Sequence, residues 1–510
     1  MSTTTWPSVS STGDPEARTS AGVVRGRRSG AVSAFLGIPY AEPPVADRRL
    51  AAPVPPRPWD GVRPAVAFGP PPPQPAMFGD RASSAGDDWL TLNLWTPASD
   101  PDAALPVLVW IPGGGYLIGS AGLPEYDGGH LAADGVVVVT VGYRVGVEGF
   151  AELDGAPSNR GLLDQVAALA WVRDNVRAFG GDPDAVTVFG QSAGGGSVAA
   201  LLAMPRARGL FRNAIVQSAP GTFFTRELAA DVAAACAAEL SLPPTASALA
   251  AVDPALLVLA GEAVAASMAD HRERWGPITH RPIPFSPVID GDVLPTAPWR
   301  ALAEGAAADV RLLVGHTRDE HRLFSLIDGI LGQVTPAQAQ TALDLLAPAP
   351  DGPQRYRATF PDATDEQLYE LVNGDWLFRM PSLQLAEAQV AGGGRAHVYE
   401  LTWPAPGLGG TLGSCHGLDI PLVFGTLTNG QPAALIGDPP SPVAVALSAR
   451  MRRAWTAFAA LGDPGWPAYV ADRRLTQVFD EVSTVASYPE DGSRRLWASH
   501  AFEALPLLAS

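Results

Sequence analysis

The chain has 510 residues, a formal net charge of −17 and an isoelectric point near 4.9, an acidity that argues against nucleic acid or an anionic membrane as partner, because binding phosphate needs a basic surface. With 47% hydrophobic and 17% charged residues, 53 Gly and 50 Pro, it is globular, with a large core and many shaped loops. All 35 basic residues are Arg, which removes Schiff-base, Walker-type and Ser-Lys chemistry.

At the N-terminus no basic stretch precedes an apolar one, so a secretory leader is not expected; the first dozen or so residues have the composition of a disordered tract. No uncharged apolar run approaches the ~18 residues of a membrane span. The two cysteines, Cys236 and Cys415, form neither a disulfide framework nor a metal motif, which fits a reducing compartment and a cytoplasmic protein. Composition leaves the oligomeric state open.

In chain order, Pro106 to Ile111 (PVLVWI) is the first continuous β-branched-rich run, of the kind buried on both faces of a sheet. Val136 to Tyr143 (VVVVTVGY) is the next. Leu162 to Phe179 reads as a helix, with Leu162, Val166, Leu169, Val172 and Val176 forming an apolar stripe and Gly180-Gly181 followed by Pro183 stopping it. Val186 to Gly190 is the following buried strand. This alternation predicts a doubly wound, mostly parallel sheet with helices on both faces. Residues 222–282 and 327–394 break the rhythm: both are Ala-rich and helical in pattern, interrupted by Pro, and read as cap insertions in a single domain spanning 1–510. Proline-rich stretches at Pro70 to Pro73 and Pro404 to Pro406 stiffen loops between elements.

Chemistry enters at Gly190-Gln191-Ser192-Ala193-Gly194, between the strand AVTVF and a small-residue helix. Ser192 on so sharp a strand-to-helix turn is pushed out at the carboxyl edge of the sheet, and the helix N-terminus aims the Ala193 N–H at a developing oxyanion. Pro112-Gly113-Gly114-Gly115-Tyr116 closes an earlier buried strand, where the second half of an oxyanion hole belongs. A base must come from the eight histidines. His397 alternates like a strand residue and His500 lies in the tail, whereas His416, in Gly413-Ser414-Cys415-His416-Gly417, occupies a short loop late in the chain. The acid should follow the strand Arg311 to Gly315, where Asp319 and Glu320 are adjacent; pattern alone does not separate them.

Taken together, these motifs resemble the type-B carboxylesterase family, which contains bacterial para-nitrobenzyl esterases and the cholinesterases. Further carriers are Phe35 to Ala41 (FLGIPYA), Asp88 to Asn93 (DWLTLN), Tyr143-Arg144, Asn159 to Gln165 (NRGLLDQ), Phe179 to Pro183 (FGGDP) and Phe458 to Pro467 (FAALGDPGWP). The resemblance covers nearly the whole chain and implies an α/β-hydrolase fold. It implies Glu320 as the acid of a triad with Ser192 and His416, Gly114, Gly115 and Ala193 as oxyanion donors, and Ser218 as support for the acid. Leu323 and Phe324 match wall positions near the acyl group; with Tyr116 and Gln191 they are expected to line an apolar substrate pocket for small apolar or aromatic esters. The implied activity is ester hydrolysis through an acyl-enzyme, with a small-molecule substrate and no metal or organic cofactor. Two rivals share these residues: acyl transfer to an alcohol, and a silent binding protein on the same fold.

The chain departs from the family pattern in several places; Pro71 to Pro73 and Trp89 occupy the region where secreted relatives place a disulfide, in line with a reducing compartment. Pro112 stands where His or Tyr usually precedes the glycines. Gln191 replaces the usual Glu beside the nucleophile and weakens any case for a cationic substrate. His321 replaces a glycine, which places a second imidazole near the acid. Glu148 is polar where the family is apolar.

Overall fold

The computed structural model describes residues 13–76, 86–98 and 100–509; the dozen residues expected to be disordered lie outside it. Among the described residues eleven strands form one sheet. In chain order they are β1 (Arg27–Ser29), β2 (Val32–Pro39), β3 (Thr91–Thr96), β4 (Leu105–Ile111), β5 (Val137–Val141), β6 (Gly181–Gln191), β7 (Asn213–Gln217), β8 (Arg311–Thr317), β9 (Arg395–Leu401), β10 (Leu475–Phe479) and β11 (Thr484–Ser487). Across the sheet the order is β11-β10-β9-β8-β7-β6-β4-β5-β3-β2-β1. The run from β10 to β5 is parallel throughout, and antiparallel strands close both edges.

Every residue of β5 and β7 is buried, as continuous β-branched runs require when helices cover both faces. One such helix, α1 (Arg160–Asn175), continues as a 3₁₀ turn over Val176–Phe179 and ends at Gly180, whose φ of 82° reverses the chain. Leu162, Leu169, Val172 and Val176 are buried and Val166 half-buried. The strand expected from Val186 begins earlier, at Gly181, because Gly181 already pairs with Leu105. The register between β4 and β6 then breaks before Val107 meets Val186, and Pro183 sits in that irregular segment where no ladder N–H is missed.

The stretch 222–282 contributes α3 (Arg226–Glu239) and α4 (Pro254–Ser267) to a region beside the sheet. In 327–394, α6 (Pro336–Leu346) and α7 (Asp365–Gly374) pack on each other, whereas α8 (Met380–Ala391) packs on β8 and β9 and serves as their crossover. A short α5 (Arg322–Ile327) precedes them. Among the described residues no helix is long and apolar enough to cross a membrane.

Under the sheet edge, Arg144 and Asp164 are both fully buried and pair through Nε to Oδ2 at 2.8 Å and Nη2 to Oδ1 at 2.7 Å, while Arg144 Nη1 donates to the Ala51 carbonyl. Glu148, the polar residue without a reason in the sequence, accepts from Arg49 Nη2 at 2.7 Å; both side chains are buried. Removing one partner of a buried pair strands the other charge. Asp164→Ala should therefore lower the unfolding free energy by about 3–5 kcal/mol, read from urea denaturation at an unchanged m-value.

Candidate active site

Parallel strands ending in register bring residues far apart in sequence to one edge. Gln191 at the end of β6 lies beside Gln217 at the end of β7, which lies beside Gly315 in β8. The next backbone groups join the strands: Ser192 N donates to Gln217 O at 2.9 Å and Ser218 N to Gly315 O at 2.8 Å. Ser192 has φ 58° and ψ −127° at the start of α2 (Ala193–Ala203), strained backbone for a residue with a Cβ. Its turn is possible because Gly194 lies so close to β4 that a Cβ there would sit 2.0 Å from Ile111 O.

Glu320 has 1% exposure. Its Oε1 accepts from Ser218 Oγ at 2.6 Å and from Thr317 N at 2.9 Å, and its Oε2 lies 2.5 Å from His416 Nδ1. Burial by itself would push this carboxyl up, but the attraction of His416 and the hydrogen bonds from His416, Ser218 and Thr317 outweigh it and hold it below the usual glutamate range. Asp319, the alternative acid, does different work: its Oδ2 accepts from Ser414 N at 2.8 Å and its N–H donates to Ser414 O, which clamps the loop that carries His416.

Because Glu320 fixes the proton on Nδ1, Nε2 of His416 is the free acceptor. That atom lies 3.0 Å from Gln191 Nε2, so the Gln191 amide donates to it. Among the described residues Ser192 Oγ makes no hydrogen bond to His416; catalytic contacts of this kind are commonly loose before substrate binds. The other histidines are differently placed. Burial pushes His280, His316 and His397 down to about 4. His321, expected near the acid, is buried against Phe324 and Tyr369 rather than bonded to Glu320.

Ser192, Gln191, His416, Gly114, Gly115, Tyr116, Ala193, Leu323 and Phe324 all line one cavity of about 570 Å³. Gly114 and Gly115, with positive φ of 122° and 61°, and Ala193 donate no backbone hydrogen bond among the described residues, so three N–H groups are available beside Ser192. A Cβ on Gly114 would lie 2.2 Å from Ile118 O. Pro112, the unusual residue before the glycines, accepts from Tyr143 Oη at 2.7 Å through its carbonyl, which anchors the loop without needing the missing N–H.

Sequence reasoning missed Phe378, whose ring stacks on His416 with centroids 4.2 Å apart. It comes from a π-helical turn, Asp375–Arg379, a local form with no residue signature and a frequent companion of functional sites. It also missed Asp419, which accepts from Gln217 Nε2 at 2.7 Å beneath the edge and is pushed up to about 6 by burial. Among the described residues no group of three or more His, Cys, Asp or Glu is arranged to hold a metal.

The fold and the assembled site define an α/β-hydrolase, and the chain belongs to the carboxylesterase family, whose model matches residues 13–488. It is 37% identical to the para-nitrobenzyl esterase of Bacillus subtilis, with 93% of this chain and 96% of that one covered. It is 33% identical to the acetylcholinesterase of Bungarus fasciatus, over 90% and 82% of the two chains. Its structure superposes on the carboxylesterase of Geobacillus stearothermophilus with a TM-score of 0.83 at 35% identity, covering 94% and 99%. The chain is a carboxylic-ester hydrolase.

The Gln191 contact has a pH signature. A carboxylate at this position favours the imidazolium, so in Gln191→Glu the acidic limb of kcat/KM should move up by about one pH unit. An unmoved limb would mean that residue 191 does not face Nε2 in the working enzyme.

Proposed function

We propose that the chain hydrolyses carboxylic esters by two-step acyl transfer with Ser192 as nucleophile, His416 as general base and acid, and Glu320 as the group that orients and charges the imidazole. The observation that carries this reading is the 2.5 Å contact of His416 Nδ1 with a buried carboxylate whose other oxygen is already held by Ser218 and Thr317. In the first step Nε2 takes the Ser192 proton, Oγ attacks the ester carbonyl, and the N–H groups of Gly114, Gly115 and Ala193 stabilise the oxyanion. Imidazolium then protonates the leaving alcohol, and water repeats the sequence on the acyl-enzyme.

The cavity wall around Ser192 is largely apolar, with Leu323, Phe324, Leu377 and Phe378 on one side, which supports small apolar or aromatic groups next to the ester. Thr222, Ile278 and Leu377 reach that wall from the two stretches read as cap insertions, and we assign those stretches the shaping of the pocket. Cys236 and Cys415 are buried and unpaired, in keeping with a reducing compartment.

Short-chain para-nitrophenyl esters should be hydrolysed by the wild type. Ser192→Ala should reduce kcat to the background of the assay, and Glu320→Gln, which keeps shape but not charge, should lower it by about 10⁴-fold with the far-UV spectrum unchanged. Wild-type turnover by Ser192→Ala would overturn the assignment.

A further inference from the structure

The wall of the catalytic cavity holds one feature that hydrolysis of an apolar ester does not use. Besides the tyrosine hydroxyls of Tyr116 and Tyr126, the titratable side chains among its described residues are Arg281, Glu125 and His416. Burial pushes Glu125 up, and Arg281 is the one guanidinium among the described wall residues.

Arg281 has 4% exposure. Its Nη1 donates to Asp328 Oδ2 at 2.8 Å, and Asp328 itself points to solvent at the end of α5, outside the wall. The guanidinium carbon lies 4.6 Å from the centroid of Phe324, and that ring is 5.1 Å from the ring of His416. Nε of Arg281 is buried with no acceptor. A guanidinium carries five N–H donors in a planar fork, and a buried one is stable only where those donors meet acceptors. Asp328 balances the guanidinium charge through Nη1, but the nearby imidazoles offer no acceptor to the remaining donors: His280 is half-buried and His321 buried, both ring nitrogens of His321 also lack partners, and burial reinforced by Arg281 keeps both imidazoles neutral. The fork therefore keeps a donor without an acceptor one aromatic ring away from His416.

We propose that Arg281 binds a free carboxylate on the substrate, so that the preferred substrates are half-esters, in which an anionic group lies a short apolar chain from the scissile ester. This rests on the esterase reading above and names its substrate class. Hydrolysis then consumes one water and releases the dicarboxylate and the alcohol. The chain's net charge of −17 repels anions at long range, so a preference for an anionic ester has to arise from this local contact.

The test compares 4-nitrophenyl hydrogen glutarate with 4-nitrophenyl pentanoate, its neutral counterpart of equal chain length, on wild type, Arg281→Gln and Arg281→Lys. The ratio of kcat/KM for the anionic over the neutral ester should fall by about tenfold or more in Arg281→Gln and by less in Arg281→Lys, which keeps the charge without the fork. An unchanged ratio overturns the proposal. In the wild type alone, pentanoate should inhibit pentanoate-ester hydrolysis about tenfold more tightly than its neutral isostere pentanamide does; equal inhibition overturns the proposal without reference to any variant. If the wild type turns over neither ester, the esterase reading itself fails, and the proposal with it.

Discussion

A carboxylate taken out of water persists only where hydrogen bonds replace its hydration, and Glu320 is such a group. Three donors converge on it: the Ser218 hydroxyl, the Thr317 amide and His416 Nδ1. Each comes from a different place: the end of β7, the end of β8 and the loop after β9. The parallel order of those strands is what makes the convergence possible, since all three end at the same edge. The ionised acid then fixes the tautomer of His416 and leaves Nε2 as the acceptor turned toward the cavity, from which the proposed chemistry follows.

The rest of the edge is built to let the backbone approach that centre. Gly194 touches Ile111 O at the end of β4, and Gly113 lies against Gln191 O, so the glycine loop and the serine turn are packed on each other. The glycine loop is thus held by the same close approaches that shape the strained turn at Ser192. Asp319, clamping Ser414, does for the histidine loop what Gly194 does for the serine turn.

Much of this was legible in the sequence because it depends on short-range chemistry. Buried parallel strands read as β-branched runs, the serine turn as glycine around Ser192, and the oxyanion loop as three glycines after a strand. The choice between Asp319 and Glu320 was not legible from pattern, because the two are adjacent and their difference is which loop each side chain meets across the sheet. Phe378 and Arg281 were invisible for a related reason. Their positions in the wall are set by a π-helical turn and by the packing of 276–283 over α5, and neither leaves a periodicity. Glu148 was unexplained until Arg49, 99 residues away in sequence, proved to be its partner. Gln191 was readable as a lost charge, but its donation to His416 Nε2 required the fold.

The proposed chemistry requires Ser192 Oγ to carry the acyl group. The most direct measurement is intact-protein mass spectrometry followed by peptide mapping after treatment with a phosphonofluoridate or sulfonyl fluoride, alongside residual esterase activity. One adduct per chain is expected, on the peptide containing Ser192, forming in step with loss of activity and absent from Ser192→Ala. Complete inactivation with the adduct on another residue, or full activity after stoichiometric modification of Ser192, would contradict it.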